Sequence, residues 1–110
     1  MQQYKILITE LAKNDLRNIS LYITYELLNP DASIRTFRGI RKQIDKLVIL
    51  PERNQLDDDP ALRELGVRST SYKNYKIYYV VDNEILTVTV IRIFHMLEDS
   101  HTWLYQVLKL

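Results

Sequence analysis

Two arginines and a histidine in the segment Val67 to Asp99 are of the right types to handle a phosphate group. Arg68 lies on the first predicted strand of this segment, and Arg92 and His95 lie near the end of its last strand. Cleavage of RNA without a metal needs a base for the 2′-hydroxyl, cations for the phosphate and an acid for the leaving oxygen. Arginine binds two phosphate oxygens through its charged fork, and histidine exchanges protons near neutral pH. Arg68, Arg92 and His95 are therefore candidate catalytic residues, if the protein is a nuclease.

Tyr75 and Tyr78, on the middle strand of the same segment, are candidate binding residues. Stacking of an unpaired base on an aromatic ring contributes about 1–3 kcal/mol. A plainer interpretation is also open, because strand tyrosines usually pack against the core. A histidine at a strand end is commonly a surface or core residue, and arginines at the rim of a sheet are solvated or pair with carboxylates such as Glu98 or Asp99. Residue chemistry alone leaves both interpretations standing.

Composition and spacing exclude several other kinds of site. The chain has no cysteine, which excludes disulfides and thiol catalysis and is compatible with a reducing compartment. His95 and His101 are six residues apart, and the adjacent carboxylates of 57–59 are not spaced as metal ligands, so we expect a solvated acidic loop and no metal site. Gly39 and Gly66 are isolated, so no glycine-rich phosphate loop is present. We expect no cofactor.

Length and charge favour a small cytoplasmic protein. The 110 residues predict a single domain, 1–110. No apolar run approaches the roughly 18 residues of a membrane span, and the N-terminal MQQYKILIT lacks the features of a signal peptide. We therefore expect a cytoplasmic location and no membrane partner. A net charge of +1 argues against general coating of nucleic acid, so any anion site must be a local patch.

The first half of the chain predicts a strand followed by two antiparallel helices. Tyr4 to Thr9 reads as a strand, and Thr9 is suited to cap a helix that begins at Glu10. Apolar residues at intervals of three or four give this helix one buried stripe: Ala12, Leu16, Ile19, Ile23 and Leu27. Pro30 suits the first turn of a second helix, which should run to about Leu50. Its predicted buried face consists of Phe37, Ile40, Ile44, Leu47 and Val48, and its opposite face of Arg35, Arg38, Lys42 and Lys46.

The second half predicts three antiparallel strands and a short C-terminal helix. Glu52 to Ala61 is polar and is expected to be an exposed loop. From Leu65 apolar residues alternate with a period of two, and residues 82–84 are typical of a turn. The pattern slips by one residue near Val90–Arg92; a β-bulge there would keep both neighbouring isoleucines in the core and turn Arg92 outward. The alternative is an edge strand whose arginine stem lies along the surface.

These elements predict an α+β fold, in which a helix hairpin packs on a small antiparallel sheet in the order β-α-α-β-β-β, followed by the short helix. One face of that last helix is formed by Trp103, Leu104, Val107 and Leu108. This face either packs on the protein's own sheet or receives a partner.

The order of elements resembles the RelE/ParE superfamily of type II toxin–antitoxin toxins over nearly the whole chain. The resemblance rests on segments in family-like order and spacing: Ala12-Lys-Asn-Asp15-Leu16, Leu50-Pro51-Glu52-Arg53, Val67-Arg68, Lys73-Asn74-Tyr75-Lys76-Ile77-Tyr78-Tyr79 with Val81-Asp82, and Thr87-Val88 to Arg92-Ile93-Phe94-His95. It implies the RelE/ParE fold, a cognate antitoxin as partner, and growth inhibition as the activity.

The resemblance implies two alternative targets. RelE-like toxins cut mRNA on the ribosome with basic residues and a terminal Tyr or His, and Arg68, Arg92 and His95 match those strand positions. ParE-like toxins poison DNA gyrase without cutting. In this sequence Met96, Leu97 and Glu98 stand where a basic pair often follows, and the ending with His95, Asp99 and Leu104 resembles the ParE ending. An RNA site should be electropositive.

We therefore expect a ParE-like gyrase poison. The first alternative is a RelE-like, metal-independent endonuclease of mRNA, and the second is an attenuated toxin that acts mainly as an antitoxin-binding partner. In each case the antitoxin is expected to bind at exposed strand edges or at the apolar face of the C-terminal helix, by strand addition or groove docking.

Overall fold

The computed structural model describes residues 2–109, which form four strands in one mixed sheet covered by four helices. The strands are Lys5–Ile8 (β1), Arg68–Tyr72 (β2), Tyr75–Asp82 (β3) and Thr87–His95 (β4), and the sheet order is β1-β4-β3-β2. The helices are Glu10–Leu21 (α1), Pro30–Asp45 (α2), Pro60–Glu64 (α3) and Ser100–Leu108 (α4).

The predicted α+β class and order of elements are confirmed. Strands β2, β3 and β4 pair antiparallel as expected, whereas β1 joins β4 in parallel and makes the sheet mixed. A parallel pair needs a long crossover between its strands, and the helices and the β2–β3 hairpin supply it. Among residues 2–109, no helix combines the length and apolar character that a membrane span requires.

Local sequence signals fix the starts of both long helices. The hydroxyl of Thr9 accepts a hydrogen bond from the backbone N–H of Ala12 at 3.1 Å, so the predicted cap of α1 is confirmed. The side chain of Asn29 accepts from the N–H of Ala32 and caps α2, with Pro30 in its first turn. Between the two helices the chain makes a π-helical turn over Tyr22–Glu26.

The helix hairpin packs on one face of the sheet and buries the larger part of the core. This cluster consists of Ala12, Leu16, Ile40, Ile44, Leu47, Ile77, Tyr79, Val88, Val90 and Ile93. Two residues predicted to lie in it are exposed instead: Leu27 by 55% and Phe37 by 44%. Leu27 follows the wider π-helical turn, which rotates it out of the apolar stripe of α1. Phe37 lies on the side of α2 that is next to the face packed on the sheet.

The opposite face of the sheet carries a second apolar cluster that the sequence did not predict. It consists of Leu62 from α3, Val67 directly before β2, Tyr78 from β3, Ile91 and Phe94 from β4, and Leu104 from α4. The segment expected to be an exposed loop over Glu52 to Ala61 thus leads into a helix that covers this face, and that expectation is wrong in part. The sheet is therefore buried on both faces, and consecutive residues of β3 and β4, which point to opposite faces, are buried together.

The β-bulge predicted near Val90–Arg92 is confirmed. Tyr78 pairs with Arg92 and the next residue, Tyr79, pairs with Val90, so Ile91 is the extra residue of β4. Ile91 enters the second cluster and Ile93 the first. The bulge removes Arg92 from the core as expected, but its side chain is only 14% exposed and is not solvated.

Candidate functional site

A cleft of about 630 Å³ opens between α1 and the end of β4. Residues of α1, β3, β4 and the chain around α4 line it: Asp15, Asn18, Ile19, Tyr22, Tyr75, Arg92, Ile93, His95, Leu97, Glu98 and Trp103. It contains Arg92 and His95, two of the three residues predicted to be catalytic, together with Tyr75, one of the predicted binding residues. We take it as the candidate functional site.

Arg92 forms a two-pronged ion pair with Asp15 in this cleft. Its Nε donates to Asp15 Oδ2 at 2.7 Å, and its Nη2 donates to Asp15 Oδ1 at 2.8 Å. The guanidinium also lies over the ring of Phe94 at 4.5 Å and near that of Trp103 at 5.9 Å. Paired ions held between rings gain both charge-assisted hydrogen bonds and cation–π attraction. The positive charge of Arg92 is thereby neutralised inside the protein.

His95 is fixed at the mouth of the cleft by the turn that follows β4. Its Nδ1 accepts a hydrogen bond from the backbone N–H of Leu97 at 3.1 Å. Its ring meets that of Tyr75 edge-on, with centroids 5.3 Å apart. Its backbone N–H donates to the Glu98 carboxylate at 3.3 Å. Where a basic pair often follows in related toxins, this turn therefore presents the Glu98 carboxylate and the exposed Leu97 side chain.

Arg68 does not reach this cleft. Its strand partner Tyr79 lies four residues along β3 from Tyr75, the partner of His95, a separation of about 13 Å along the strand. The Arg68 side chain donates to the backbone oxygens of Glu52 and Asn54 and pairs with the Glu52 carboxylate at 3.4 Å. In this structure it anchors a loop. The catalytic role assigned to Arg68, Arg92 and His95 stays a prediction, and the three do not converge.

The predicted binding residues fall into two groups. Tyr75, Trp103, Val107 and Leu108 remain at least partly accessible, and Trp103 is 46% exposed beside the cleft. Tyr78 and Leu104 are buried in the second apolar cluster. The Tyr78 hydroxyl is 3.0 Å from Ser100 Oγ at the start of α4. Packing on its own sheet thus accounts for part of the α4 face, while Trp103 is left half-exposed.

Sequence reasoning passed over Asp15 as a functional residue, although it stands in the quoted Ala12 to Leu16 segment. Nothing in the local pattern shows that its partner lies 77 residues away. Tyr22 and Asn18 of the cleft were also missed, because they lie outside the apolar stripe of α1. The only feature of the sequence that could have indicated them is a polar side chain next to the apolar stripe of the helix.

The expectation of a solvated acidic run at 57–59 is wrong in part, because Asp58 is exposed but Asp57 and Asp59 have structural roles. The side chain of Asp57 is 8% exposed and lies 3.3 Å from Nε2 of His101 on α4. Asp59 accepts from the Tyr105 hydroxyl at 2.6 Å and caps α3. The Tyr105 hydrogen bond, with that from the Leu62 N–H, lowers the pKa of Asp59, and the same bond raises the pKa of Tyr105.

Electrostatically, the cleft is a poor receptor for a phosphate chain. Within the part of the chain that the structure describes, its lining has one guanidinium, that of Arg92, and two carboxylates, those of Asp15 and Glu98. The aromatic rings of Tyr22, Tyr75 and Trp103 add apolar surface. Such a cleft suits a protein segment with apolar side chains better than an RNA backbone.

Comparison with known proteins agrees with this fold. The sequence model of the ParE toxin family of type II toxin–antitoxin systems, parDE, matches residues 6–100. No curated protein matches the sequence significantly. Similar solved structures include the chromosomal ParDE system of P. aeruginosa, with a TM-score of 0.70 at 18% identity over 84% of this chain and 96% of that one.

Two further structures belong to RelE-type systems. The RelBE2 toxin–antitoxin complex of Mycobacterium tuberculosis gives a TM-score of 0.66 at 22% identity, over 86% of this chain and 93% of that one. A mutant of the E. coli toxin RelE in the free state gives 0.64 at 18% identity, over 99% of both chains. These structural likenesses concern the fold, whereas the family match extends over most of the sequence. The chain belongs to the ParE toxin family of type II toxin–antitoxin systems.

Proposed function

We propose that this toxin inhibits growth by a ParE-like action on DNA gyrase, without cutting nucleic acid, and that a cognate antitoxin neutralises it. The observation that carries the proposal is the pairing of Arg92 with Asp15. A metal-independent nuclease needs converging free cations around the scissile phosphate. Arg92 is neutralised, Arg68 is held elsewhere, and the Glu98 carboxylate accepts from the backbone N–H of His95. The ParE family match supports the same target.

The test is inhibition of purified gyrase. We expect the protein at micromolar concentration to block supercoiling of relaxed plasmid, and its induction in cells to trigger a DNA-damage response before protein synthesis stops. Supercoiling that proceeds unchanged would reject the proposal. Arg38→Ala, on the outer face of α2, serves as a matched control for charge substitutions in the cleft.

A RelE-like action on mRNA is the alternative, favoured by one observation. The cleft brings Arg92, His95 and Tyr75 together, and this action requires that the Arg92–Asp15 pair open on the ribosome. Primer extension on translated messages should then show cleavage that disappears in His95→Ala and in Arg92→Ala but persists in Arg38→Ala. Cleavage that survives both cleft substitutions excludes this assignment. Unimpaired growth on induction without antitoxin would instead favour an attenuated, antitoxin-binding protein.

The antitoxin is proposed to contact α4 through its accessible apolar side chains. Trp103 protrudes beside the cleft, whereas Leu104 on the same helix is fully buried. Trp103→Ala should therefore weaken the complex with the antitoxin, with a smaller loss of stability than Leu104→Ala, because the half-exposed ring contacts Arg92. Leu104→Ala should lower the free energy of unfolding by about 2–5 kcal/mol, as core truncations do. Titration calorimetry measures the affinity for the antitoxin. Equal affinities of wild type and Trp103→Ala would show that the antitoxin binds at another surface.

A further inference from the structure

Three N–H groups converge on the Asp15 carboxylate. Arg92 contributes Nε at 2.7 Å and Nη2 at 2.8 Å, and the backbone N–H of Ile93 donates to Oδ2 at 3.0 Å. A guanidinium fork with an added backbone N–H is an arrangement that binds a carboxylate or a phosphate group in general. In this protein a side chain of the same chain occupies it.

The end of β1 explains why this arrangement forms. Strand β1 pairs with β4 only as far as Val90, so the backbone of β4 beyond that point must find other partners on this side. The Thr9 hydroxyl donates to the Ile91 oxygen at 3.1 Å, and Asp15 accepts from the Ile93 N–H. The bulge at Ile91 turns the Arg92 fork toward the same point. The site is thus built by β4, and α1 fills it.

The site opens to the cleft. Asp15 and Arg92 both line the cleft, and their side chains are 11% and 14% exposed. The rings of Phe94 and Trp103 hold the plane of the guanidinium in place. Removal of the carboxylate would therefore leave a preformed anion site that small anions can reach from the solvent.

We propose that Asp15 determines the specificity of this cleft, by occupying an anion site formed by the Arg92 fork and the Ile93 N–H and so excluding nucleic-acid phosphate from it. This inference rests on the proposed function in one respect: only a toxin that does not cut RNA can act while its phosphate site is occupied. Asp15 is a positioning residue in this account, and the anion class is carboxylate or phosphate.

The first test is chemical rescue of Asp15→Ala. The substitution leaves space beside the Arg92 fork, and sodium formate should fill it. We expect formate, compared with chloride at equal ionic strength, to raise the Tm of the variant saturably, by about 5 °C once its concentration exceeds the Kd about tenfold. Trp103 is the only tryptophan of the chain and lies beside Arg92, so its fluorescence should change along the same saturation curve.

Two controls make the rescue specific. Wild type should not respond, because its site is filled, and Asp15→Ala/Arg92→Gln should not respond, because it lacks the fork. Equal responses of all three proteins to formate would overturn the proposal. If Asp15→Ala is unfolded in dilute buffer, recovery of its far-UV circular dichroism in formate supports the proposal, and failure to recover overturns it.

The second test uses Asp15→Ala again, which removes the occupant of the site as well as its charge. At a salt concentration of about 50 mM, where weak binding by wild type is measurable, the affinity of this variant for a fluorescein-labelled single-stranded RNA should exceed that of wild type and of Asp15→Ala/Arg92→Gln by about tenfold, the worth of one charge-assisted contact. Equal affinities would contradict the proposed exclusion. Both tests measure binding, so a failure of gyrase inhibition by wild type would reject the proposed function without deciding this inference.

Discussion

Tyr79 shows how one side chain joins the sheet to the loop before α3. Its ring is fully buried in the larger apolar cluster. Its hydroxyl donates to the backbone oxygen of Pro51 at 2.6 Å and accepts from Asn54 Nδ2 at 3.0 Å. Burial raises the pKa of this hydroxyl, which keeps it a donor. Within residues 2–109, no buried side-chain nitrogen or oxygen lacks a partner.

Removal of that hydroxyl should destabilise the protein. Tyr79→Phe leaves the Pro51 oxygen and the Asn54 amide without their partner, at a cost of about 1–3 kcal/mol. Chemical denaturation should show this loss as a lower midpoint with an unchanged slope. Tyr25→Phe is the matched control, since Tyr25 is exposed and its replacement should change stability little. Equal midpoints for the two variants would show that the buried hydroxyl contributes nothing.

At the scale of elements, α4 is attached to the sheet by polar contacts around one buried leucine. Tyr105 binds Asp59 at the start of α3, His101 approaches Asp57, and Ser100 lies against Tyr78. These contacts join α4 to the loop that sequence alone assigned to solvent. They place Trp103 over the guanidinium of Arg92, and so α4 helps to shape the cleft.

The pair formed by Asp59 and Tyr105 predicts a pH dependence at both ends of the scale. The pKa of Asp59 is lowered from 3.8, so its contribution is present above that value and is lost as the pH falls through the lower folded-state pKa. The pKa of Tyr105 is raised from 10.0, so its contribution is present below that value and is lost as the pH rises through the higher folded-state pKa. The free energy of unfolding of Tyr105→Phe should therefore vary less with pH than that of wild type. Denaturant titrations between about pH 2 and 11 measure this difference. Parallel profiles would contradict this.

Helix α2 approaches the sheet closely at Gly39. A β-carbon at this position would overlap the ring of Tyr72 on β2. Gly39→Ala gains about 1 kcal/mol in helix propensity, but overpacking costs about 1–3 kcal/mol, so we expect a net loss of stability. In a Tyr72→Ala background the same substitution should become stabilising, because the ring is gone. A double-mutant cycle by thermal unfolding measures this reversal, and the same sign in both backgrounds would contradict the packing account.

The whole molecule is nearly neutral but unevenly charged. The predicted basic face of α2 is exposed as expected, with Arg35, Arg38, Lys42 and Lys46 directed to solvent. Five of the 14 acidic residues lie between Glu52 and Glu64, and the 15 basic residues of the chain leave a net charge of +1. Affinity for nucleic acid grows with the number of phosphates that a protein neutralises.

Wild type should therefore bind nucleic acid weakly. We expect no measurable binding of a 20-nucleotide RNA at micromolar protein and about 150 mM salt, by fluorescence anisotropy. At lower salt, weak binding through α2 should appear, and the double substitution Arg35→Ala/Lys42→Ala should reduce it. Tight binding at physiological salt would contradict the neutral cleft and would favour the RNA-directed alternative.

The sequence by itself determined the features that depend on near neighbours. The cap at Thr9, the position of Pro30 in the first turn of α2 and the three antiparallel strands follow from capping chemistry and from alternation along the chain. The slip in the pattern near Val90–Arg92 left a bulge and an edge strand as alternatives, and the structure has the bulge. The resemblance to the family also depends on short sequence segments, taken in their order and spacing along the chain. Even the failures at Leu27 and Phe37 are local, since the period of three and four holds until a π-helical turn or the flank of a helix interrupts it.

Only the tertiary structure decided what the candidate site can do. Asp15 and Arg92 are 77 residues apart, and no periodicity shows that they pair. The same holds for the distance of Arg68 from the cleft and for the burial of Leu104 of α4 against the sheet, which depend on strand register and on packing between distant elements. Charges act through space, so the chemistry of Arg92 depends on the residue folded against it.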